Sequence, residues 1–151
     1  MEDELKRLLA ERKIERLLFD YAYFLDMNQP EAMARLFVDD CEVSYAPGFG
    51  ATGIEAYRKT LEGIGTFFQG TSHHVSNVVV DFTSDTEATV RAVVLAVHRY
   101  VKERPDVWLF GQYDDVVVLR DGQWKFKKRV LKTTMTTSYH VKASNPIGRA
   151  P

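Results

Sequence analysis

The 151-residue sequence holds one cysteine, Cys41. That excludes a disulfide framework and any Cys-rich zinc site. An excess of one charge is also missing, since 20 Lys and Arg against 21 Asp and Glu leave a net charge of −1. A protein that grips a phosphate backbone concentrates positive charge, so nucleic acid is not an expected partner. No apolar run approaches the ~20 residues of a membrane span. The opening MEDELKRLLAERK is too charged for a secretory signal. The chain therefore reads as a cytoplasmic domain with no membrane partner. Repeats, low-complexity tracts and linkers are absent too, which suggests one domain over 1–140 and a tail at 141–151. A chain of this length can bury roughly 68–70% of its unfolded surface, so it needs no structural metal.

The helical signal lies at the front. Ile14, Leu17, Leu18, Tyr21, Ala22 and Leu25 recur at i, i+3, i+4, i+7, i+8 and i+11 with charges between them. This spacing predicts a helix over 3–26 with one packed stripe, and Leu5, Leu8 and Leu9 extend that stripe toward the N-terminus. Pro30 can start a second helix running over 31–37, with Met33, Leu36 and Phe37 inward. A short strand at 42–46 precedes the turn-rich PGFGATG. Thr52 and Glu55 resemble a capping box that opens a third helix to about Leu61. The segment GIGTFFQG then reads as a Gly-rich loop.

Beyond it the period changes to two. Residues 74–82, 88–101, 107–119 and 123–137 are rich in Val, Thr and aromatics and are separated by TSD, KERPD and RDG turns. Short turns make neighbours antiparallel. Helices first and a long meander after them define an α+β fold, with three N-terminal helices packed on a strongly curved mixed, mostly antiparallel sheet.

Few residues suggest chemistry. PGFGATG contains a formal GxGxxG over 48–53, but the chain continues into hairpins and not into a parallel βαβ unit, so a flexible loop is the better reading. Cys41 follows Asp39 and Asp40, whose charges suppress a thiolate. No serine sits in a GxSxG elbow. His73 and His74 are adjacent on a strand, so their side chains point to opposite faces and do not readily share a metal. No HxH, HExxH or carboxylate triad accompanies them, so a metal site is not expected.

One of the two imidazoles must face the helix-covered side, where it needs a hydrogen-bond partner. Asp26 is the natural one: it ends the first helix, where the macrodipole disfavours a carboxylate. The alternative leaves Asp26 solvated before a turn. Tyr21 lies in the apolar stripe, as plain core or with its hydroxyl in a cavity. His98 shares a face with Val94, Ala96 and Tyr100, as core or as cavity lining. Arg129 alternates with Lys125 and Lys127 on the face opposite Trp124 and Phe126, which favours an exposed guanidinium.

Three stretches together carry a resemblance: YAYFLDMNQPEAMARLFVDD, TSHHVSNVVV and GQYDDVVVLRDGQWKFKKR. In order and spacing the chain resembles the SnoaL-like branch of the nuclear transport factor two-like superfamily. The resemblance implies a cone-shaped α+β barrel with a deep apolar cavity. Its look-alikes within that branch are cofactor-free lyases: hexachlorocyclohexane dehydrochlorinases, bile-acid dehydratases and, more distantly, scytalone dehydratases. It implies a His–Asp dyad formed by His73 and Asp26, with Tyr21 and Arg129 as further catalytic groups. This reverses the exposed reading of Arg129. Tyrosine where the dehydrochlorinases carry lysine points away from dehydrochlorination and toward a dehydratase.

The function so implied is a cofactor-independent lyase or isomerase acting on a small, mostly apolar cyclic substrate. Phe24, Tyr45, Phe49, Val94, His98, Tyr113 and Leu131 are the expected substrate-binding wall. Family relatives often form trimers or dimers through the outer sheet face, so a homo-oligomer is expected. The alternatives are a scaffolding subunit like the small subunit of ring-hydroxylating dioxygenases, a hydrophobic carrier, and a polyketide cyclase or ketosteroid-isomerase-like enzyme.

Overall fold

In the computed structural model, which describes residues 1–139 and Gly148, three helices pack on a six-stranded mixed sheet. Apart from Gly148, the expected tail at 141–151 lies outside the described residues. The first helix, α1, spans Glu2–Asp26. Its stripe of Ile14, Leu17, Leu18, Tyr21 and Ala22 is buried, as the spacing predicts. Leu5, Leu8 and Leu9 do not continue it and are each more than half exposed. A 25-residue helix is about 37 Å long, and its apolar face is covered only from Ile14 onward.

The second helix, α2, is the short segment Pro30–Ala34, with Pro30 in its first turn. Phe37, expected at the end of that helix, opens strand β1 instead, Phe37–Ala46. β2, Phe49–Thr52, pairs antiparallel with β1, so the stretch read as a flexible loop is one arm of a hairpin. Gly50 is required there, because a Cβ would run into the Val43 carbonyl.

Helix α3 spans Ile54–Phe67. Gly53 caps it with no side-chain hydrogen bond, so the Thr52–Glu55 box does not form. α3 also runs on past Leu61 through Gly63 and Gly65. Tyr57, Leu61 and Ile64 are buried at i, i+4 and i+7, and this packing outweighs the poor helix propensity of glycine.

The long strands are β3 (Phe68–Ser84), β4 (Glu87–Tyr100), β5 (Asp106–Arg120) and β6 (Gln123–Tyr139). The sheet order is β2-β1-β6-β5-β4-β3; β1 and β6 run parallel and every other pair antiparallel. The β5–β6 turn places Asp121 and Gly122 at φ 51° and 75°, the type I′ geometry that a two-residue hairpin favours. The sheet curves around the helices without closing, which is the cone-shaped α+β architecture expected.

Of several register shifts along the sheet, two bear on the residues that face inward. One, at Asn77 (φ 51°), lies between Ser76 and Val79 on β3. Val75 and Val78 consequently both pack toward the core although three positions separate them. The other lies on β6, where Phe126 pairs with Val117 and Lys128 with the adjacent Val116. The extra residue turns Arg129 onto the face of Phe126, and both are fully buried. Strict alternation across this strand puts them on opposite faces, so the exposed reading of Arg129 fails for this local reason.

Candidate active site

An open, mostly apolar cavity of about 290 Å³ lies between the helices and the sheet. Tyr21 and Leu25 reach it from α1, Tyr45 from β1, Ile64 and Phe67 from α3, and His73 from β3. Val94 and His98 on β4, Tyr113 on β5 and Leu131 on β6 complete much of the far wall, and Phe49 comes from β2. Phe24, expected in this lining, is not part of it. Leu25, four residues after Tyr21, occupies that face of α1, while the Phe24 ring meets Tyr23 edge-on.

Asp26 ends α1 with no basic residue in the last turn, an unfavourable place for a carboxylate. Three donors compensate. The Thr71 hydroxyl donates to Oδ1 at 2.9 Å and the His73 backbone N–H to Oδ2 at 2.9 Å. His73 Nδ1 lies 2.7 Å from Oδ1. Burial alone would raise the Asp26 pKa. The bonds from His73 and Thr71 outweigh it and hold the carboxyl below its ordinary 3.8. Asp26 is therefore ionised near neutrality and can only accept, so Nδ1 carries a proton, and in the neutral imidazole the unprotonated nitrogen is Nε2.

The imidazole of His73 is 6% exposed and lies at the cavity wall, with the carboxylate behind it. The adjacent His74 points outward, its Nε2 3.1 Å from Ser72 Oγ. His98 meets the His73 ring edge-on, with centroids 5.3 Å apart, and stacks against Phe68.

Tyr21, also on the cavity wall, belongs to a cluster of three hydroxyls. Its oxygen is 2.7 Å from that of Tyr45, which in turn is 2.8 Å from that of Tyr57. Burial pushes all three phenols well above their ordinary pKa of 10, so they are neutral donors.

Arg129 is placed differently from the reading in which it touches substrate. Its guanidinium is fully buried behind the wall and forks onto Asp115, with Nε–Oδ1 at 2.9 Å and Nη2–Oδ2 at 2.6 Å. The rings of Tyr21, Tyr113 and Phe126 surround it at 4.0 to 4.1 Å. Burial works against its charge, but the Asp115 carboxylate more than offsets this and the pKa is raised. Arg129 thus lies behind the cavity wall, packed against Tyr21 and Tyr113, which line it.

Asp115, Tyr57 and Thr71 escaped the sequence reading. Alternation along β5 already placed Asp115 with the inward Tyr113 and Val117, and an inward carboxylate signals a buried cation. Phe67, hidden in the segment read as a loop, has no comparable signal. Cys41 is fully buried, and burial first, with Asp40 and Asp39 adding, pushes its thiol up to about 11. Among the described residues no group of three His, Cys, Asp or Glu is placed to hold a metal ion, and no helix is long and apolar enough to cross a membrane.

The helix-covered open sheet, with its cavity, is the architecture of SnoaL-like proteins. The SnoaL-like domain family matches residues 6–130, and this chain belongs to it. A crystal structure of a protein from Novosphingobium aromaticivorans DSM 12444, which carries the provisional name scytalone dehydratase, is similar at 69% identity over 100% of both chains, with a TM-score of 0.86. A type 2 hexachlorocyclohexane dehydrochlorinase shares the fold at 22% identity and TM-score 0.86, over 95% of this chain and 98% of its own. The type 3 enzyme of Novosphingobium barchaimii LL02 does so at 23% identity and TM-score 0.83, over 93% of this chain and 99% of its own. No curated protein matches the chain in sequence.

Proposed function

We propose that this protein is a cofactor-independent lyase of the dehydratase type, or an isomerase, acting on a small, mostly apolar cyclic substrate. The observation that carries the reading is the 2.7 Å contact between His73 Nδ1 and Asp26 Oδ1, with the imidazole at the wall of an open apolar cavity. Neutral His73 takes an acidic C–H proton on Nε2, and Asp26 fixes the tautomer and stabilises the imidazolium. In an elimination the C–H electron pair becomes the new double bond, and the departing hydroxyl receives a proton from the tyrosine cluster or the imidazolium and leaves as water. In an isomerisation the imidazolium returns the proton to another carbon.

The 69% identical relative's name supports the dehydratase form. An open cavity favours a ligand-handling protein over a scaffolding subunit, whose interior side chains would fill it. A second copy is the expected partner, through the outer sheet face where Leu95 pairs with Phe110 and Val97 with Trp108. The protein is read as cytoplasmic.

The test uses a bicyclic apolar ketone with acidic C–H bonds, 2-indanone, in deuterated buffer. The protein is expected to accelerate deuterium incorporation next to the carbonyl, measured by mass spectrometry. An unaccelerated exchange with bound ketone sinks the general-base reading. His74 faces away from the cavity, so His74→Ala is expected to keep the exchange rate within about twofold, as surface substitutions usually do. A large loss in that variant would transfer the base to His74.

A further inference from the structure

We propose that Tyr113 binds the substrate's oxygen: its hydroxyl, open to the cavity and held by no other residue, donates to an oxygen beside the carbon that His73 deprotonates. The inference deepens the reading of the cavity as a substrate site and rests on it.

Three of the buried phenols are occupied with one another. Tyr21 and Tyr45 are joined at 2.7 Å, Tyr45 and Tyr57 at 2.8 Å, and the Tyr57 hydroxyl also contacts that of Tyr21. In such a closed set each hydroxyl donates once and accepts once, so a ligand meets no uncommitted donor there. Tyr100, another phenol of the wall, is partly exposed, and water can take its proton. Tyr113 differs from all of these. It is 3% exposed and lines the cavity from β5. Its cross-strand neighbours are Ala92 and Leu131, whose side chains carry no acceptor. Among the described residues its hydroxyl has no hydrogen-bond partner. Nor is that oxygen sealed in the core, and the cavity is the space onto which it opens. A hydroxyl in an apolar wall with nothing to accept its proton loses hydration without compensation. An oxygen on a bound ring restores the bond.

The surrounding charge suits a donor. The Arg129 guanidinium lies 4.0 Å from the Tyr113 ring, held there by Asp115, two residues further along β5. Burial pushes the phenol up and the cation draws it back, so that it settles at about 12. The hydroxyl is therefore neutral near pH 7, and a stronger donor than burial alone would leave it. Asp26 is also near enough for its charge to bear on this phenol. The donor and the His73–Asp26 pair thus share one small cavity. As His73 removes a proton, charge moves onto the neighbouring oxygen, and a fixed donor at that oxygen gains strength with it.

Tyr113→Phe keeps the ring on Arg129 and deletes only the hydroxyl. That oxygen bonds to no other residue, so the melting temperature is expected to hold or to rise. The probe is 2-indanone, followed by the infrared stretch of its carbonyl. In the wild type the bound carbonyl is expected to absorb below its frequency in an apolar solvent, and in Tyr113→Phe to return most of the way. Affinity for the ketone falls by roughly 2–10-fold in the variant, while affinity for indane, which has no oxygen, is unchanged. Deuterium exchange falls by roughly 10²–10³-fold. A bound wild-type carbonyl with no shift, or a shift that survives in Tyr113→Phe, overturns the proposal. Loss of the shift in Tyr45→Phe instead gives the role to the tyrosine cluster. The general base is read separately, since His73→Ala is expected to keep the carbonyl shift and lose the exchange. A shifted carbonyl without exchange in the wild type would remove the base and leave Tyr113 as the donor.

Discussion

Asp26→Asn is expected to lose on the order of 10²–10⁴-fold in proton-transfer rate while the fold survives. The reasoning starts from a donor that cannot move. The backbone N–H of His73 points at Asp26 Oδ2 and holds an acceptor in that position. An asparagine satisfies it only by placing its oxygen there, which turns its amide NH₂ toward Thr71 and His73 Nδ1. The Thr71 hydroxyl can accept as readily as donate, so it adapts. Nδ1 must then accept, the ring proton moves to Nε2, and the lone pair facing the cavity is gone.

All hydrogen bonds are satisfied in that arrangement, and a carboxylate has left an unfavourable helix end. The melting temperature is therefore expected to fall only modestly near neutrality, where the ionised carboxylate contributes stability, and to change little at acidic pH. His73→Ala removes the base itself and loses rate by the same order. If both variants keep the wild-type exchange rate, the pair is structural.

The acid limb of the stability profile gives an independent check. The folded-state pKa of Asp26 is lowered, so its contribution to stability is fully present above 3.8 and is lost as pH falls through the lower folded value. The wild type is expected to lose stability over that acidic window more steeply than Asp26→Asn, as measured by denaturant melts across pH.

How much of this was legible beforehand depended on whether a local period survived folding. The buried half of α1 follows its 3.6-residue spacing from Ile14 to Ala22, and the order of helices and hairpins was readable from the change of period after α3. Alternation held along β4, which put Val94 and His98 on one face. It failed where a single residue was inserted, at Asn77 and at Lys127–Lys128, because a bulge reverses every later position and leaves no fixed mark in composition. Alternation also could not say which of His73 and His74 faces inward, since the sheet's orientation relative to the helices is a tertiary fact. A mixed sheet was expected, but which strands form its parallel pair, β1 and β6, was not legible for a related reason. That pair joins residues about 85 positions apart with no turn between them to announce the pairing.

The misread residue, Arg129, carries the largest expected effect on stability. Its charge and that of Asp115 sit at 0% exposure, joined by two short bonds. Arg129→Ala leaves the carboxylate buried without its cation, which costs about 3–5 kcal/mol. It also strips a cation from three aromatic faces. For a domain of this length each kcal/mol is worth roughly 2–4 °C, so the melting temperature is expected to fall by about 6–20 °C. The pair itself is a weak net stabiliser, because desolvating both ions offsets most of their attraction. The double variant Arg129→Met/Asp115→Leu is accordingly expected to recover most of that loss in the same melts. Proton transfer should not recover with it, because the restored apolar packing returns no positive charge behind Tyr21. If rate and stability recover together, Arg129 serves the fold alone. If stability recovers and rate stays low, the cation contributes to the chemistry from behind the wall.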